Sequence, residues 1–570
     1  MPLNVSVALT GAGGAGVVTA GQILLEAAAV ARLYGIMARS SGPQIRGGES
    51  AAFVRLGRHP VNNLGNAFDI HIAFDWLNVE RFAAEIPLDT HSVVVYDPSA
   101  GNVPEVIHHS GARLIEVPLK DITKEVPGGR VNMVGLGALA TLLDLPEGTM
   151  AATLEKVLGR KGAEALAASK AAVAAGRAAA KEIGAVRHFP TAGSDDGGDR
   201  WSITGNAAAG MGAVRGGVRF VAAYPITPAT EVLEWLAPNL EKLGGTLAQA
   251  EDELASINMA IGGSFGGVPS LTATSGPGLA LMMESIGLAV ASEVPVVIVD
   301  VQRGGPSTGI PTKSEQSDLN IAVYGLHGDA PHIVTAANSV SDCLFTTQWT
   351  VHLAEKLQTA AIVLSDQSLG QTRAIVDRPA DAGFTAARKL YDGTEAYRRY
   401  ALTESGVSPM AVPGQAGGEY VADGLEHKPL GTPSSQTEDH QAQLDKRARK
   451  LVLHEFGDHW AEIEGEGEVA VVTWGSSTGP SREAIAMAAA DGMKVRLVSL
   501  RLLAPVQTRP FAEALDGVSK VLVVEQSHSR QFYHYLRAHF DLPDTVRVFN
   551  QPGPLPIRPN QVYFNLREWR

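Results

Sequence analysis

Residues 219–240 read RFVAAYPITPATEVLEWLAPNL and join a buried-strand pattern to an amphipathic-helix pattern through a loop with two prolines. A strand that runs into a helix is the repeating unit of a parallel sheet covered by helices. Proline fixes φ and pushes the preceding residue toward an extended conformation, so the loop is stiff. We expect Thr227 to cap the helix, with Pro228 in its first turn. The helix then buries one apolar face, formed by Val232, Leu233, Leu236 and Leu240.

Composition bounds the class of protein. A chain of 570 residues holds about three or four domains, because one core rarely serves more than ~200 residues. Hydrophobic residues make up 45% and charged residues 19%, and every apolar run is broken well before the ~20 residues of a membrane span. The formal net charge of −13 argues against nucleic acid as a main partner. We therefore expect a soluble protein with neither a membrane nor a nucleic-acid partner.

The single cysteine restricts the chemistry further. Cys343 alone cannot form an internal disulfide, a zinc site or an iron–sulfur cluster, which takes about four thiolates. A chain so poor in cysteine fits a reducing compartment, and we expect it to be cytoplasmic. Any iron–sulfur cluster must then be carried by another chain.

Strand and helix patterns alternate along most of the chain, which predicts an α/β fold with three doubly wound, mainly parallel sheets. We place the first domain at residues 1–186 and a polar, Gly- and Asp-rich linker at 187–200. A second domain follows at 201–377. Residues 378–465 form an extended connection in which the pattern fails, and the last domain spans 466–570.

A glycine loop follows the first strand pattern. Gly11, Gly13 and Gly16 match the spacing of a dinucleotide fingerprint, with Gly14 between them. The carboxylate that the fingerprint expects about twenty residues later is missing. The alternatives are a structural tight turn or another phosphate-bearing ligand at the helix amino terminus. Further along, Arg46 stands beside paired glycines, which suits close approach to a ligand and equally a plain loop.

Two later strand-to-helix junctions carry polar side chains. The first, QAEDELASINMAIGG, places Glu251, Asp252 and Glu253 at a helix mouth, where carboxylates normally just favour the helix dipole. A functional role requires one of them to face a pocket. The second, at residues 275–278, reads SGPG, and its backbone N–H groups suit a ligand or a sharp turn.

The loop after the strand pattern PVVIVD is long and reads VQRGGPSTGIPTKSEQSDLN. Arg303 can bind a carboxylate through a bidentate fork, and the glycines that follow leave room for a small substrate. Thr312 lies further along this loop. Because ligands of open α/β sheets bind at the carboxyl ends of strands, three such loops in one sheet predict a binding site.

In this order, YPITPAT, EDELASINMAIGGSFGG, TATSGPGLALM and VQRGGPSTGIPTKSEQSDL resemble the α subunit of 2-oxoacid:ferredoxin oxidoreductases. The amino-terminal GAGGAGVVTAGQIL and SSGPQIRGGES resemble the γ domain of that family, here fused ahead of α. The last domain resembles the third domain of transketolase-like enzymes. The resemblance covers nearly the whole chain and implies a thiamine-pyrimidine-binding domain in its middle.

The resemblance also implies the chemistry and the residues. The family decarboxylates a 2-oxoacid on thiamine diphosphate, transfers the acyl group to coenzyme A and passes electrons to ferredoxin. Glu253 matches the glutamate that contacts the aminopyrimidine ring, and Tyr224, Pro225 and Thr227 match the loop over the reacting end of the cofactor. Arg303, with Thr312 beside it, matches the arginine that holds the substrate carboxylate. The γ-domain loop with Gly11, Gly13, Gly14, Gly16 and Arg46 is a candidate coenzyme A contact.

The absence of a diphosphate-binding motif from this sequence indicates that a partner chain is required. Thiamine enzymes bind the diphosphate through Mg²⁺ with a Gly-Asp-Gly motif, and this sequence has none. The resemblance therefore implies a β subunit that carries the diphosphate and Mg²⁺ site and the iron–sulfur cluster, in a dimer of α–β heterodimers.

The substrate implied by the resemblance is 2-oxoglutarate, with pyruvate or a branched-chain 2-oxoacid as the alternative, and the direction of the reaction stays open. Two other classes remain to be tested. An NAD-dependent dehydrogenase would bind NADH through the region before Arg187. A non-catalytic scaffold would keep the turnover of its complex when Glu253 is changed.

Overall fold

The computed structural model describes residues 4–41, 49–76, 79–190, 198–310 and 312–569. Its strands, numbered in chain order, are β1 Val5–Ala12, β2 Tyr34–Ser41, β3 Glu49–Gly57, β4 Ile70–Ala73, β5 Val93–Tyr96, β6 Arg113–Glu116, β7 Arg200–Thr204, β8 Phe220–Ala223, β9 Thr246–Gln249, β10 Ser270–Thr274, β11 Val296–Gln302, β12 Ile333–Ala336, β13 Ala360–Asp366, β14 Arg373–Asp377, β15 Ala461–Glu464, β16 Val469–Trp474, β17 Val495–Leu500, β18 Leu502–Ala504, β19 Lys520–Glu525 and β20 Thr545–Asn550.

The helices alternate with these strands along the chain. They are α1 Val17–Val30, α2 Val79–Phe82, α3 Glu105–His108, α4 Leu119–Glu125, α5 Val131–Leu142, α6 Glu147–Leu158, α7 Ala163–Ala179, α8 Gly205–Gly216, α9 Thr230–Leu240, α10 Glu253–Phe265, α11 Gly276–Ala291, α12 Leu319–Tyr324, α13 Asp342–Leu357, α14 Gln367–Gln371, α15 Thr437–Val452, α16 Thr478–Ala490, α17 Thr508–Ala514, α18 Gln531–His539 and α19 Pro559–Arg567.

The first compact unit comprises Met1–Ile203, Thr372–Pro379 and Arg558–Asn560. Its eight-stranded sheet has the order β6-β5-β4-β1-β3-β2-β14-β7. Strands β6, β5, β4 and β1 run parallel, whereas β3, β2 and β14 are antiparallel to their neighbours. The apolar faces of α1, α5, α6 and α7 share a buried core with this sheet. The sheet is therefore mixed, and its last two strands come from segments beyond residue 199.

The second compact unit comprises Thr204–Gln371, Ala380–Ile557 and Gln561–Arg570 and contains two sheets. The larger has the order β18-β12-β13-β11-β10-β8-β9 and is parallel except at β18. The smaller, which we call the carboxy-terminal sheet, has the order β15-β17-β16-β19-β20 and is parallel except at β15. The predicted α/β class is confirmed, and both sheets of this unit are mainly parallel as predicted. Because β8, β10 and β11 are neighbours, the loops after them meet at one edge.

Residues 380–436 form irregular structure with two isolated bridges and lead into α15. This connection is held by a buried ion cluster in which Lys446 and Lys450 of α15 both donate to the carboxylate of Glu293. Burial alone would raise the pKa of Glu293, but the charges of Lys450 and Lys446 lower it below its usual range. The connection is thus anchored by ions that lose their hydration on folding. Within the described residues, no helix has both the length and the apolar character that a membrane crossing requires.

Candidate functional site

The loop after β8 does not start its helix where the sequence predicts. Helix α9 begins at Thr230 with Ala229 as its N-cap, so the prediction that Thr227 caps it is wrong. Residues 227–229 instead form a turn, because the buried side-chain amide of Asn206 donates to the carbonyl of Pro228 at 2.9 Å. The predicted apolar face of α9 is confirmed by the burial of Val232, Leu233, Leu236 and Leu240. Thr227 is exposed and not used for capping.

Arg303 reaches this loop from the end of β11. Its Nη1 donates to the carbonyl oxygen of Thr227 at 2.6 Å. Its Nε is buried and, within the described residues, has no hydrogen-bond partner. A buried guanidinium N–H without a partner is costly unless a ligand accepts from it. The structure thus joins two of the predicted site residues and leaves a cationic donor for an anionic group.

Glu253 is the first residue of α10 and is buried, with 8% of its surface exposed. It occupies the space above a glycine of α11, because a Cβ on Gly278 would lie 2.6 Å from the Glu253 Cγ and 2.9 Å from its Oε1. No described residue donates a hydrogen bond to its carboxylate. The neighbouring Asp252 caps α10 by accepting from the Ala255 amide at 2.7 Å, as expected for a helix-end charge. Glu251 is exposed.

Two carboxyl groups that we did not predict lie at the same edge. Asp300 is fully buried in β11, and Asp318 precedes α12, with its carboxylate against the backbone of Gly276. Burial and the neighbouring Asp318 raise the pKa of Asp300, and burial raises the pKa of Asp318 to about 7. In the sequence, Asp300 could have been recognised as a candidate because it is a carboxylate that follows directly on the apolar run VVIV. Nothing local distinguishes Asp318 from a surface aspartate.

The other predicted residues are placed as follows. Tyr224 directly follows β8 and is 39% exposed, and Pro225 beside it is half-buried. Thr312 is half-buried with φ +41°, and the described residues show no hydrogen bond from it to Arg303 or Thr227. The hydroxyl of Ser275, at the start of α11, is also buried, and it has no hydrogen-bond partner in the part of the chain that the structure describes. This last group belongs to the SGPG turn that the sequence indicated.

The glycine loop of the first unit has a different environment. Gly11 lies at the end of β1, Gly13 and Gly14 form the turn, and Gly16 precedes α1 with φ +78°. A Cβ on Gly16 would lie 2.3 Å from Nδ2 of Asn132, which donates to the carbonyl of Gly16 at 3.0 Å. This glycine therefore permits helix α5 to pack on the loop. Arg46 lies outside the described residues.

A buried glutamate opposite a small-residue turn, with an arginine at a neighbouring strand end, fits the thiamine-binding class of α/β enzyme subunits. Sequence families agree with this geometry. The family described as pyruvate flavodoxin/ferredoxin oxidoreductase, thiamine diphosphate-binding, matches residues 211–446. Pyruvate ferredoxin/flavodoxin oxidoreductase matches residues 6–179, and pyruvate:ferredoxin oxidoreductase core domain II matches residues 467–562.

Relatives along the whole chain identify the family. The 2-oxoacid:ferredoxin oxidoreductase 2 subunit alpha of Aeropyrum pernix is 30% identical over 96% of each chain. The 2-oxoglutarate synthase subunit KorA of Methanothermobacter thermautotrophicus is 34% identical over 64% of this chain and 97% of its own. The structure of 2-oxoglutarate:ferredoxin oxidoreductase from Magnetococcus marinus, with 2-oxoglutarate, coenzyme A and succinyl-CoA bound, matches with TM-score 0.92 and 37% identity over 99% of both chains. The chain belongs to the 2-oxoacid:ferredoxin oxidoreductase alpha subunits, which confirms the resemblance read from its motifs.

Proposed function

We propose that this chain is the fused γ/α subunit of a 2-oxoglutarate:ferredoxin oxidoreductase. Its complex would convert 2-oxoglutarate, coenzyme A and oxidised ferredoxin to succinyl-CoA, CO₂ and reduced ferredoxin. The observation that carries the proposal is Arg303, whose buried Nε lacks a partner among the described residues while Nη1 donates to the Thr227 carbonyl. The choice of 2-oxoglutarate is supported by the Magnetococcus enzyme, whose structure holds 2-oxoglutarate and succinyl-CoA and matches nearly the full chain.

Glu253 fits thiamine diphosphate because a buried carboxylate with no donor among the described residues can accept from a protonated ring nitrogen. When bound, the cofactor supplies the carbanion-stabilising chemistry that decarboxylation of a 2-oxoacid requires. The chain's own contribution is to hold the ring in one orientation and one protonation state. Glycine at 278 leaves the space that this carboxylate occupies.

The loop of Tyr224, Pro225 and Thr227 lines the reacting end of the cofactor in this proposal. Arg303 binds the carboxylate of the 2-oxoacid, and Thr312 contacts the substrate from the same loop. Since the Thr227 carbonyl fixes one arm of the guanidinium, the remaining N–H groups keep a defined direction. A fixed donor lowers the cost of orienting the substrate when it binds.

Coenzyme A contacts are assigned to the first unit. The backbone N–H groups of the loop through Gly11, Gly13, Gly14 and Gly16 precede α1, which has no side-chain N-cap, and such helix starts attract phosphate. Arg46 is a further candidate contact to the same anion.

A β subunit completes the complex. It supplies the diphosphate and Mg²⁺ site, for which this sequence lacks Gly-Asp-Gly, and the iron–sulfur cluster that passes electrons to ferredoxin. The assembly is a dimer of α–β heterodimers in the cytoplasm. The one cysteine supports this arrangement, because Cys343 is buried and burial raises its thiol pKa, so it is a poor cluster ligand.

The test is an assay of the co-purified complex with 2-oxoglutarate, pyruvate and a branched-chain 2-oxoacid, each with coenzyme A and a low-potential acceptor. We expect kcat/KM to be highest for 2-oxoglutarate. In Arg303→Ala, loss of a charged hydrogen bond should raise KM for the oxoacid about 10- to 100-fold and leave KM for coenzyme A unchanged. Equal effects on both KM values would contradict the role of Arg303. Reduction of NAD⁺ to NADH in place of acceptor reduction would favour the dehydrogenase alternative.

A further inference from the structure

The loop that begins at Arg303 is closed at its base by its own hydrogen bonds. We define the loop base as residues 303–304 and 313–318. The amide of Gly304 donates to the carbonyl of Lys313 at 2.9 Å, and the hydroxyl of Ser317 donates to the carbonyl of Arg303 at 3.2 Å. The backbone of Arg303 is therefore held by Ser317, and its guanidinium by Thr227. Moving Ser317 would move the arginine.

Gln316 fixes this base to the carboxy-terminal sheet. Its side chain is buried, with 1% exposed, and its Nε2 donates to the carbonyl of Trp474 at 2.8 Å. Its Oε1 accepts from the amide of Gln526 at 2.7 Å and from the hydroxyl of Ser477 at 3.2 Å. The backbone amide of Gln316 donates to the Gln526 carbonyl at 2.8 Å. These four hydrogen bonds connect the loop base to the ends of β16 and β19.

Gln531, the first residue of α18, makes a second connection from the same part of the fold. Its Nε2 donates to the carbonyl of Ser317 at 2.9 Å, and its Oε1 accepts from the amide of Asn320 at 3.0 Å. Ser317 thus receives a hydrogen bond from Gln531 and gives one to Arg303. The path from α18 to the arginine backbone is two hydrogen bonds long.

We propose that the carboxy-terminal sheet and α18 set the position of Arg303, with Gln316 and Gln531 as positioning residues for binding of the substrate carboxylate. The inference rests on the role of Arg303 proposed above. A guanidinium fork binds a carboxylate well only in a narrow geometry, so a small shift of its backbone weakens the interaction. The carboxy-terminal sheet and α18 then contribute to substrate affinity without touching substrate.

The experiment uses the complete complex with its partner subunit and the variant Gln531→Ala. Loss of the hydrogen bond to Ser317 should raise KM for the 2-oxoacid about 5- to 10-fold, with KM for coenzyme A unchanged and a smaller change in kcat. Gln507→Ala is the matched control, because this glutamine precedes α17, donates to the Pro505 carbonyl at 3.0 Å and makes no hydrogen bond to the loop base within the described residues. Its KM for the oxoacid should stay at the wild-type value.

A double-mutant cycle separates positioning from general loss of structure. If Gln531 acts through Arg303, then adding Gln531→Ala to Arg303→Ala should raise KM for the oxoacid no further. An independent, multiplicative increase would overturn the inference, as would an unchanged KM in Gln531→Ala. Should Gln531→Ala fail to assemble, Ser317→Ala removes one hydroxyl and should raise KM about 3-fold, again only when Arg303 is present. If Arg303→Ala itself leaves KM unchanged, the proposed function fails rather than the positioning.

Discussion

The two glycine loops of this molecule have similar local sequences and different surroundings. The first, at residues 11–16, runs from the end of β1 to the start of α1, and the second, at residues 275–278, runs from the end of β10 into the first turn of α11. In the first, Gly16 makes room for Asn132, a residue of the same unit's core. In the second, Gly278 makes room for Glu253, and the buried hydroxyl of Ser275 has no partner within the described residues.

The difference shows that glycine spacing alone does not reveal what a loop binds. Where a core residue fills the space that a side chain at the glycine would occupy, close packing is sufficient reason for the glycine. Where a carboxylate without a donor fills that space instead, a ligand site is a reasonable proposal, because a poorly hydrated charge is costly unless something donates to it. The groups around a loop therefore decide between a structural turn and a functional site.

The largest effect should come from Glu253→Gln. An amide cannot act as the anionic acceptor, so kcat should fall at least about 100-fold while the complex still assembles. The measurement is oxoacid- and coenzyme A-dependent reduction of a low-potential acceptor, with assembly checked by co-purification. Asp252→Asn is the matched control, because asparagine also caps helices and turnover should remain within about 2-fold of wild type. Near-normal turnover in Glu253→Gln would favour the scaffold alternative.

Gly278→Ala tests the space that Glu253 occupies. The added methyl would lie 2.1 Å from the Thr274 hydroxyl and 2.6 Å from Glu253 Cγ, so the carboxylate must move. We expect kcat to fall about 10- to 50-fold, in the range of a misplaced catalytic group. Gly262→Ala on α10 has no atom within 4 Å of the new methyl and should leave kcat unchanged and stability equal or higher. If Gly278→Ala and Gly262→Ala had the same kcat, the position of Glu253 against Gly278 would not matter for turnover, and the second loop would be no more than a structural turn.

Asp318 gives a pH-dependent test. Burial raises its pKa to about 7, and Arg303 is among the charges that act on it. The Asp318 carboxyl should therefore become ionised between about pH 6 and pH 8, and, on the proposed role of Arg303, we expect the ionised form to compete with the substrate carboxylate for the guanidinium. KM for the oxoacid should rise about 3- to 5-fold across this range in wild type and stay flat in Asp318→Asn. A wild-type profile without this rise would contradict the competition.

The same pKa has a consequence for stability. The folded value lies above the unfolded value of about 3.9, so the folded state keeps its proton longer as the pH rises. Stability is therefore lost as the pH rises from about 4 through about 7, and Asp318→Asn removes that loss. The difference between the Tm of Asp318→Asn and the Tm of wild type should increase in favour of the variant from pH 5 to pH 8. A constant difference in Tm would mean that the folded-state pKa is not raised.

The smallest effect should come from Gly14→Ala in the first loop. Gly14 has φ +99° and open space around its Cα, so the methyl would stand where a phosphate could approach. KM for coenzyme A should rise about 2- to 3-fold and KM for the oxoacid should not change. Gly101→Ala, with φ +98° and the same open surroundings, carries the same backbone strain as a control. If both variants behave alike, the first loop is a structural turn.

The parts of the fold that depend on local patterns could be predicted from the sequence. The strands β8 and β11 follow from their apolar runs, and the buried face of α9 follows from its apolar periodicity. The cap by Asp252 follows from residue type. The Thr227 cap was wrong because Asn206, distant in sequence, closes the turn in its place.

The missed residues depend on contacts that span the chain. Gln316 pairs with Trp474 and Gln526, and Gln531 pairs with Ser317, across more than 150 residues in each case. A glutamine has no local pattern that separates such a role from a surface position. Asp300 and Asp318 are closer in sequence, but they too come together only when β11 and the start of α12 meet in the folded protein.

The composition of the first sheet bears on how this protein could be divided between genes. Strand β2 pairs with β14, which follows residue 372, and β7 forms the sheet edge beyond it. If residues 1–186 were made as a separate polypeptide, β2 would become an edge with unpaired backbone groups, and such edges promote association between copies. A split version of this subunit would therefore need another cover for β2. Ligand-binding studies on that piece would have to monitor aggregation before interpreting any affinity.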